Sequence, residues 1–172
     1  YEIKDYSAAL PLFQDLAKPE ISNDKWSIPS QHLALDILSQ KKDYKKLLVQ
    51  AQKWTLHPQF ENRIKQQKEH AGELLQMKKI AWQAEFEWAT SMGNTIEALE
   101  IFRKFCHQDM LLPRSCDNAR ILAVNLKKQQ VLIAILKKEG KKIELAAELE
   151  AAGHFTEAAE LLEPALTAKS SP

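Results

Sequence analysis

The stretch Gly93-Asn94-Thr95-Ile96-Glu97-Ala98-Leu99-Glu100-Ile101-Phe102-Arg103-Lys104-Phe105 decides the fold class. Gly93 marks the end of one helix, since glycine takes the left-handed backbone conformation at a helix C-terminus without strain. Asn94 and Glu97 form a capping-box pattern that opens the next helix. Ile96, Leu99, Phe102 and Phe105 then recur at helical spacing and make one apolar stripe. Two helices joined by so short a turn are antiparallel neighbours.

The same pattern extends in both directions. Tyr44, Leu47, Leu48, Ala51 and Trp54 form a second stripe, and Phe155, Ala158, Leu162 and Ala165 a third. Partner helices are expected at about 28–40, 61–91, 117–127 and 141–151, with a first helix at about 6–17. Gly153 closes a helix just before Phe155. Asn23, Asp24 and Pro29 are assigned to the first long connection, with Trp26 among them, and Pro113 and Ser115 to the second. Pro164 should kink or end the last helix. The prediction is one domain over residues 1–167 with a flexible tail at 168–172. The first helix lacks a partner ahead of it, so a further helix upstream is expected.

Composition agrees. The 172 residues include only four glycines and are 45% apolar, enough for a core. No Val/Ile/Thr alternation bounded by Asn-Gly or Asp-Gly suggests a strand hairpin. The net charge of +1 gives no overall attraction to nucleic acid or membrane. The most apolar region, Ile121 to Leu136, is cut by Lys127-Lys128-Gln129-Gln130, so no membrane span is predicted. Two cysteines, Cys106 and Cys116, are too few for a disulfide scaffold and are read as a reduced pair. With them goes a cytoplasmic location.

The helices that follow each break share a spacing. Tyr6-Ala9-Phe13 and Phe155-Ala158-Leu162 place bulky, small and bulky residues at the same intervals; Gly93 with Ala98 and Phe102 keeps the glycine, the small and the bulky residue, and Tyr44 with Leu47 keeps the aromatic but has leucine at the small site. Trp82, sixteen residues before Ala98, and Leu145-Ala146 with Leu149 supply first-helix positions. Trp54 and Trp82 fall on core positions. These residues resemble the tetratricopeptide repeat. The resemblance implies an all-α fold of stacked antiparallel helical hairpins, a right-handed α-solenoid. It covers most of the chain but is good only over 93–105 and 141–166. Phe86 and Glu85 stand where the family has a small residue and leucine. Ala98 and Ala158 lie 60 apart, where two repeats would give about 68. A shortened hairpin is therefore expected near 117–139. A solenoid of the kind found in coat and transport proteins fits the same pattern. Gly93 to Phe105 followed by Met110-Leu111-Leu112-Pro113 also resembles one pentatricopeptide unit, but an RNA code needs several copies.

No catalytic constellation is visible. The glycines are scattered, and neither His-Glu-x-x-His nor Cys-x-x-Cys occurs. Cys106, His107 and Cys116 match no common zinc spacing. The five histidines are scattered, and His154 beside Gly153 suits a helix end. Glu85 and Glu87, two apart, face different directions on a helix. No enzyme activity, cofactor or metal is expected.

In tetratricopeptide arrays the first helix of each hairpin lines a groove. The matching positions are His32, Asp36, Gln83, Glu87 and Arg120. Two are acidic, and the lysine–asparagine pair that holds a terminal carboxylate is missing, so chaperone-tail binding is not expected. Such a groove suits a neutral or basic helix or an extended segment. Trp26 and Trp88 are either partner anchors or packing residues. Lys127, Lys128, Lys137, Lys138, Lys141 and Lys142 cluster, and acidic residues from Glu144 to Glu163 follow without Lys or Arg. That is either complementary charge between neighbouring hairpins or a lysine patch for an acidic ligand. The expected function is a non-enzymatic scaffold or adaptor that binds a protein partner, with no small-molecule substrate.

Overall fold

The structure is a computed structural model. It describes residues 5–18, 24–58, 62, 72–107 and 114–167. Asn23, Pro113, the Met110–Pro113 cadence, the 63–71 part of the long predicted helix and the 168–172 tail lie outside them. Among the described residues there are nine helices and no strand: α1 Tyr6–Leu16, α2 Asp24–Gln40, α3 Tyr44–Thr55, α4 Glu73–Ser91, α5 Ile96–His107, α6 Ser115–Asn125, α7 Gln129–Glu139, α8 Lys142–Ala151 and α9 Phe155–Thr167. None is long and apolar enough to cross a membrane.

Four of the connections between helices share one turn geometry. Lys42, Lys127, Gly140 and Gly153 each have positive φ, between 55° and 83°. In each case the next residue's amide reaches back five residues. Asp43 donates to the Leu38 carbonyl (3.1 Å), Lys128 to Ala123 (2.7 Å), Lys141 to Leu136 (3.1 Å) and His154 to Leu149 (2.8 Å). This is the Schellman arrangement, which satisfies carbonyls that a helix end leaves without partners. Lysine supplies the left-handed residue twice, although it carries no preference for it.

Two compact units result, Tyr1–Trp88 and Ala89–Pro172. In the first, α1 packs on α2 and α2 on α3. Its core joins Ile28, Ala34, Leu35 and Leu38 of α2 to Leu47, Leu48, Ala51 and Trp54 of α3 and Met77, Ala81 and Ala84 of α4. Trp54 has no exposed surface. In the second unit each of α5 to α9 packs on the next, and α5 also meets α7. Ala98, Leu99, Phe102 and Phe105 are buried there, as are Leu145, Ala146, Leu149 and Ala158.

Several expectations are corrected. Ile96 and Phe155, the first residue of each apolar stripe, are exposed, at 57% and 66%. Helical side chains lean toward the N-terminus, so a first-turn residue overhangs the end of its neighbour. The capping box does not form. The Thr95 hydroxyl accepts the Ala98 amide (3.2 Å), while Asn94 accepts from Asn125 (3.2 Å). Asp24, Trp26 and Pro29 lie inside α2, not in a connection. Pro29 is tolerated because the carbonyl it leaves without a partner belongs to exposed Lys25 in the first turn. Ser115 opens α6, and α9 runs past Pro164 to Thr167. Trp82 is half-buried rather than a core residue.

The largest correction concerns the cysteines. Cys106 and Cys116 form a disulfide, with Cα atoms 4.7 Å apart. Cys106 lies near the end of α5 and Cys116 near the start of α6. The packing of α5 on α6 brings those ends within bridging distance.

Candidate functional site

The first unit contains a cavity of about 550 Å³ lined from α2, α3 and α4. Four of the groove residues expected from sequence meet there: His32 and Asp36 from α2, Gln83 and Glu87 from α4. Each pair is four residues apart, so each lies on one face of its helix. Beneath them Leu35, Leu47 and Ala84 are buried, and Ile80 and Tyr44 are half-buried. The cavity has an apolar floor and a polar rim.

The rim is held by side-chain hydrogen bonds. His32 Nε2 donates to Glu73 Oε2 at 2.8 Å, which ties α2 to the first residue of α4. Gln83 Nε2 donates to Glu87 Oε1 at 2.8 Å. Gln40 Nε2 donates to Asp36 Oδ2 at 2.9 Å, and the Tyr6 hydroxyl donates to Gln40 Oε1. Asp36 is thus steadied by a relay that begins on α1. Tyr44 and Glu73 are not among the groove positions expected from sequence. Tyr44 opens the α3 stripe, and nothing in the sequence marks it as a cavity residue.

The other candidates lie elsewhere. Trp26 sits in the first turn of α2, 58% exposed, with the Lys25 ammonium 5.6 Å from its ring centre. Trp88 is half-buried against the first unit's core, and Lys45 lies over its ring at 5.6 Å. Arg120 belongs to the second unit, where it binds three carboxylates. It contacts Asp117, Glu139 Oε2 at 3.2 Å and Glu144 Oε2 at 3.4 Å. It therefore ties α6 to the end of α7 and the start of α8. The approach to Glu139 is off the hydrogen-bond angle, so that attraction is coulombic.

The lysine cluster is partly occupied too. Lys138 Nζ donates to the Cys106 carbonyl (3.2 Å), and Lys141 pairs with Glu144 at 3.8 Å. Two of the six lysines thus already have partners, one a carboxylate in the first turn of its own helix and one a backbone carbonyl. His154 pairs with Glu157 across the first turn of α9 at 3.5 Å. Among the described residues no group of three or more His, Cys, Asp or Glu is placed to hold a metal ion.

The second unit has its own apolar surface. Ile121 and Val124 are each 58% exposed beside a shallow depression on α6, and Ile143 is 76% exposed on α8. No family model, curated protein or solved structure matches the chain.

Proposed function

We propose that this chain is a non-enzymatic protein-interaction module, a tetratricopeptide-like scaffold or adaptor built from consecutive helical hairpins. Its docking site is the cavity of the first unit. One observation carries this reading: four of the five residues matched to groove positions of a tetratricopeptide array, from two separate helices, line a single cavity with a buried apolar floor. A cavity of that size takes a few side chains of a peptide rather than a flat protein face. Without a lysine or arginine in its lining, it is unsuited to a terminal carboxylate.

The test is peptide binding to the intact chain. Ser39 is an exposed rim residue, so Ser39→Trp blocks the cavity while leaving the core untouched. Peptides selected on the wild-type chain are expected to lose at least tenfold in affinity for this variant. Equal affinity for both proteins, or micromolar binding of acidic terminal peptides, would show that the cavity is not the site.

A second reading has its own support. Phe155 stands exposed on α9, and exposed Ile143 of α8 lines a cavity of about 680 Å³ with Leu161 and Leu162. Contacts through such a surface suit a structural segment of a transport or coat assembly. The disulfide favours an oxidising compartment over the cytoplasm. An RNA-binding role has only the single sequence cadence behind it.

A further inference from the structure

The chemistry of the first unit's cavity says what kind of segment fills it. Its floor, Leu35, Leu47 and Ile80, calls for an apolar side chain. Its rim carries Asp36 from α2 and Glu87 from α4. Each carboxylate accepts a hydrogen bond from a glutamine four residues away on its own helix. A glutamine amide orients a carboxylate without cancelling its charge. Neither acid has a lysine or arginine partner among the described residues, and none lines the cavity.

Some other acids in this structure do have a cationic partner. Asp43 pairs with Lys46 at 2.9 Å, Glu100 with Arg103 at 3.3 Å, and Glu139 with Arg120 at 3.2 Å. Among the described residues, the cavity therefore keeps two negative charges without a cationic partner above an apolar floor. Net charge does not explain this, because the whole chain stands at +1. A cation entering between the two walls meets attraction from both sides, partly shielded from water by the floor.

We infer that the cavity's occupant is a basic, amphipathic segment of a partner protein. It lays an apolar side chain on the Leu35–Leu47–Ile80 floor and sets a lysine or arginine between Asp36 and Glu87. This inference rests on the cavity being the docking site, as proposed above, and adds the charge of the partner.

The experiment uses the full chain and three synthetic peptides of equal length and apolar content, with lysine, glutamine or glutamate at the polar positions. Binding is read by fluorescence anisotropy. The lysine peptide should bind at least tenfold more tightly than the glutamate peptide, with the glutamine peptide between them. Raising the salt concentration should narrow that gap. Asp36→Asn with Glu87→Gln should remove most of the preference, and Asp36→Lys with Glu87→Lys should reverse it. Circular dichroism checks that both variants fold.

Equal or tighter binding of the glutamine or glutamate peptide overturns the charge assignment. So does a lysine preference that survives Asp36→Asn with Glu87→Gln. If the glutamine peptide binds as well as the lysine peptide and Ser39→Trp abolishes both, the docking site stands and only the partner's charge is wrong. If no peptide binds, both statements fall.

Discussion

Replacing Arg120 with methionine separates a structural role from a binding one. Methionine keeps the apolar stem and removes the guanidinium, so core packing is nearly unchanged. Asp117 and Glu144 are each 56% exposed at their side chains, and their pairs with Arg120 contribute about 0.2–0.5 kcal/mol apiece. Glu139 differs. Its side chain and that of Arg120 are each only 19% exposed. Glu139 is also the last residue of α7, where the negative end of the helix dipole disfavours a carboxylate. Removing Arg120 leaves that carboxylate half-dry with no cation beside it, at a cost of about 1–3 kcal/mol. The sum is a loss of about 1.5–4 kcal/mol. Glu139→Gln removes the charge that would be stranded, so the double variant should be more stable than the two single losses predict. A coupling of about 1–2 kcal/mol is expected from urea unfolding of the four proteins by circular dichroism. Coupling under about 0.3 kcal/mol, with Arg120→Met as stable as wild type, would refute the clamp and return Arg120 to the list of partner-binding candidates.

Four other perturbations test separate parts of the fold. Lys127→Gly should raise stability by about 0.5–1 kcal/mol, because Lys127 holds a left-handed conformation that glycine adopts freely; Gly140→Ala, which meets no neighbour yet is strained by its φ of 69°, should do the reverse in the same urea assay. Cys106→Ser with Cys116→Ser opens a loop of sequence separation 10 and should cost about 3 kcal/mol by chain entropy. Thiol titration of the unfolded, unreduced protein should then find no free thiol in the wild type, and two would remove the bridge. A hydrogen bond from the Lys46 side chain, aided by the Lys46 backbone amide, holds the Asp43 carboxyl below its ordinary range. A depressed folded-state value stabilises the fold above the unfolded pKa, and the contribution disappears as pH falls through the folded one. Asp43→Ala should therefore cost about 1 kcal/mol at neutral pH, and the gap to wild type should close in acid; a gap independent of pH would contradict it.

What the sequence disclosed depended on how local each feature is. The α3 stripe was readable because Leu47, Leu48, Ala51 and Trp54 lie within one helix, and all four are buried. Gly153 was visible as a helix end. Lys42 and Lys127 close helices with the same hydrogen bonds but look like ordinary surface lysines. The disulfide needs the ends of α5 and α6 in register, and a gap in sequence says nothing about distance in space. Likewise Arg120 was assigned to a groove by its place in a repeat, while its three carboxylates come from α6, α7 and α8.

The candidate site shows both sides of that limit. Spacing put His32 with Asp36, and Gln83 with Glu87, on single faces. Nothing local said that the two faces share a cavity. That follows from packing, because Leu47 of α3 and Ala84 of α4 build one floor and the His32–Glu73 bond joins α2 to the start of α4. Ala81 and Ala84 matter here by their smallness. With 6% and 1% of their surface exposed, they let α4 settle on the α2–α3 core without filling the space above Leu35 and Leu47. A leucine at Ala84 would occupy that space, so the cavity depends on the absence of side-chain volume as much as on the acids that ring it. Sequence reasoning that looks for functional groups sees the acids and passes over the alanines. The alanines keep the floor open, and the acids give the rim its charge.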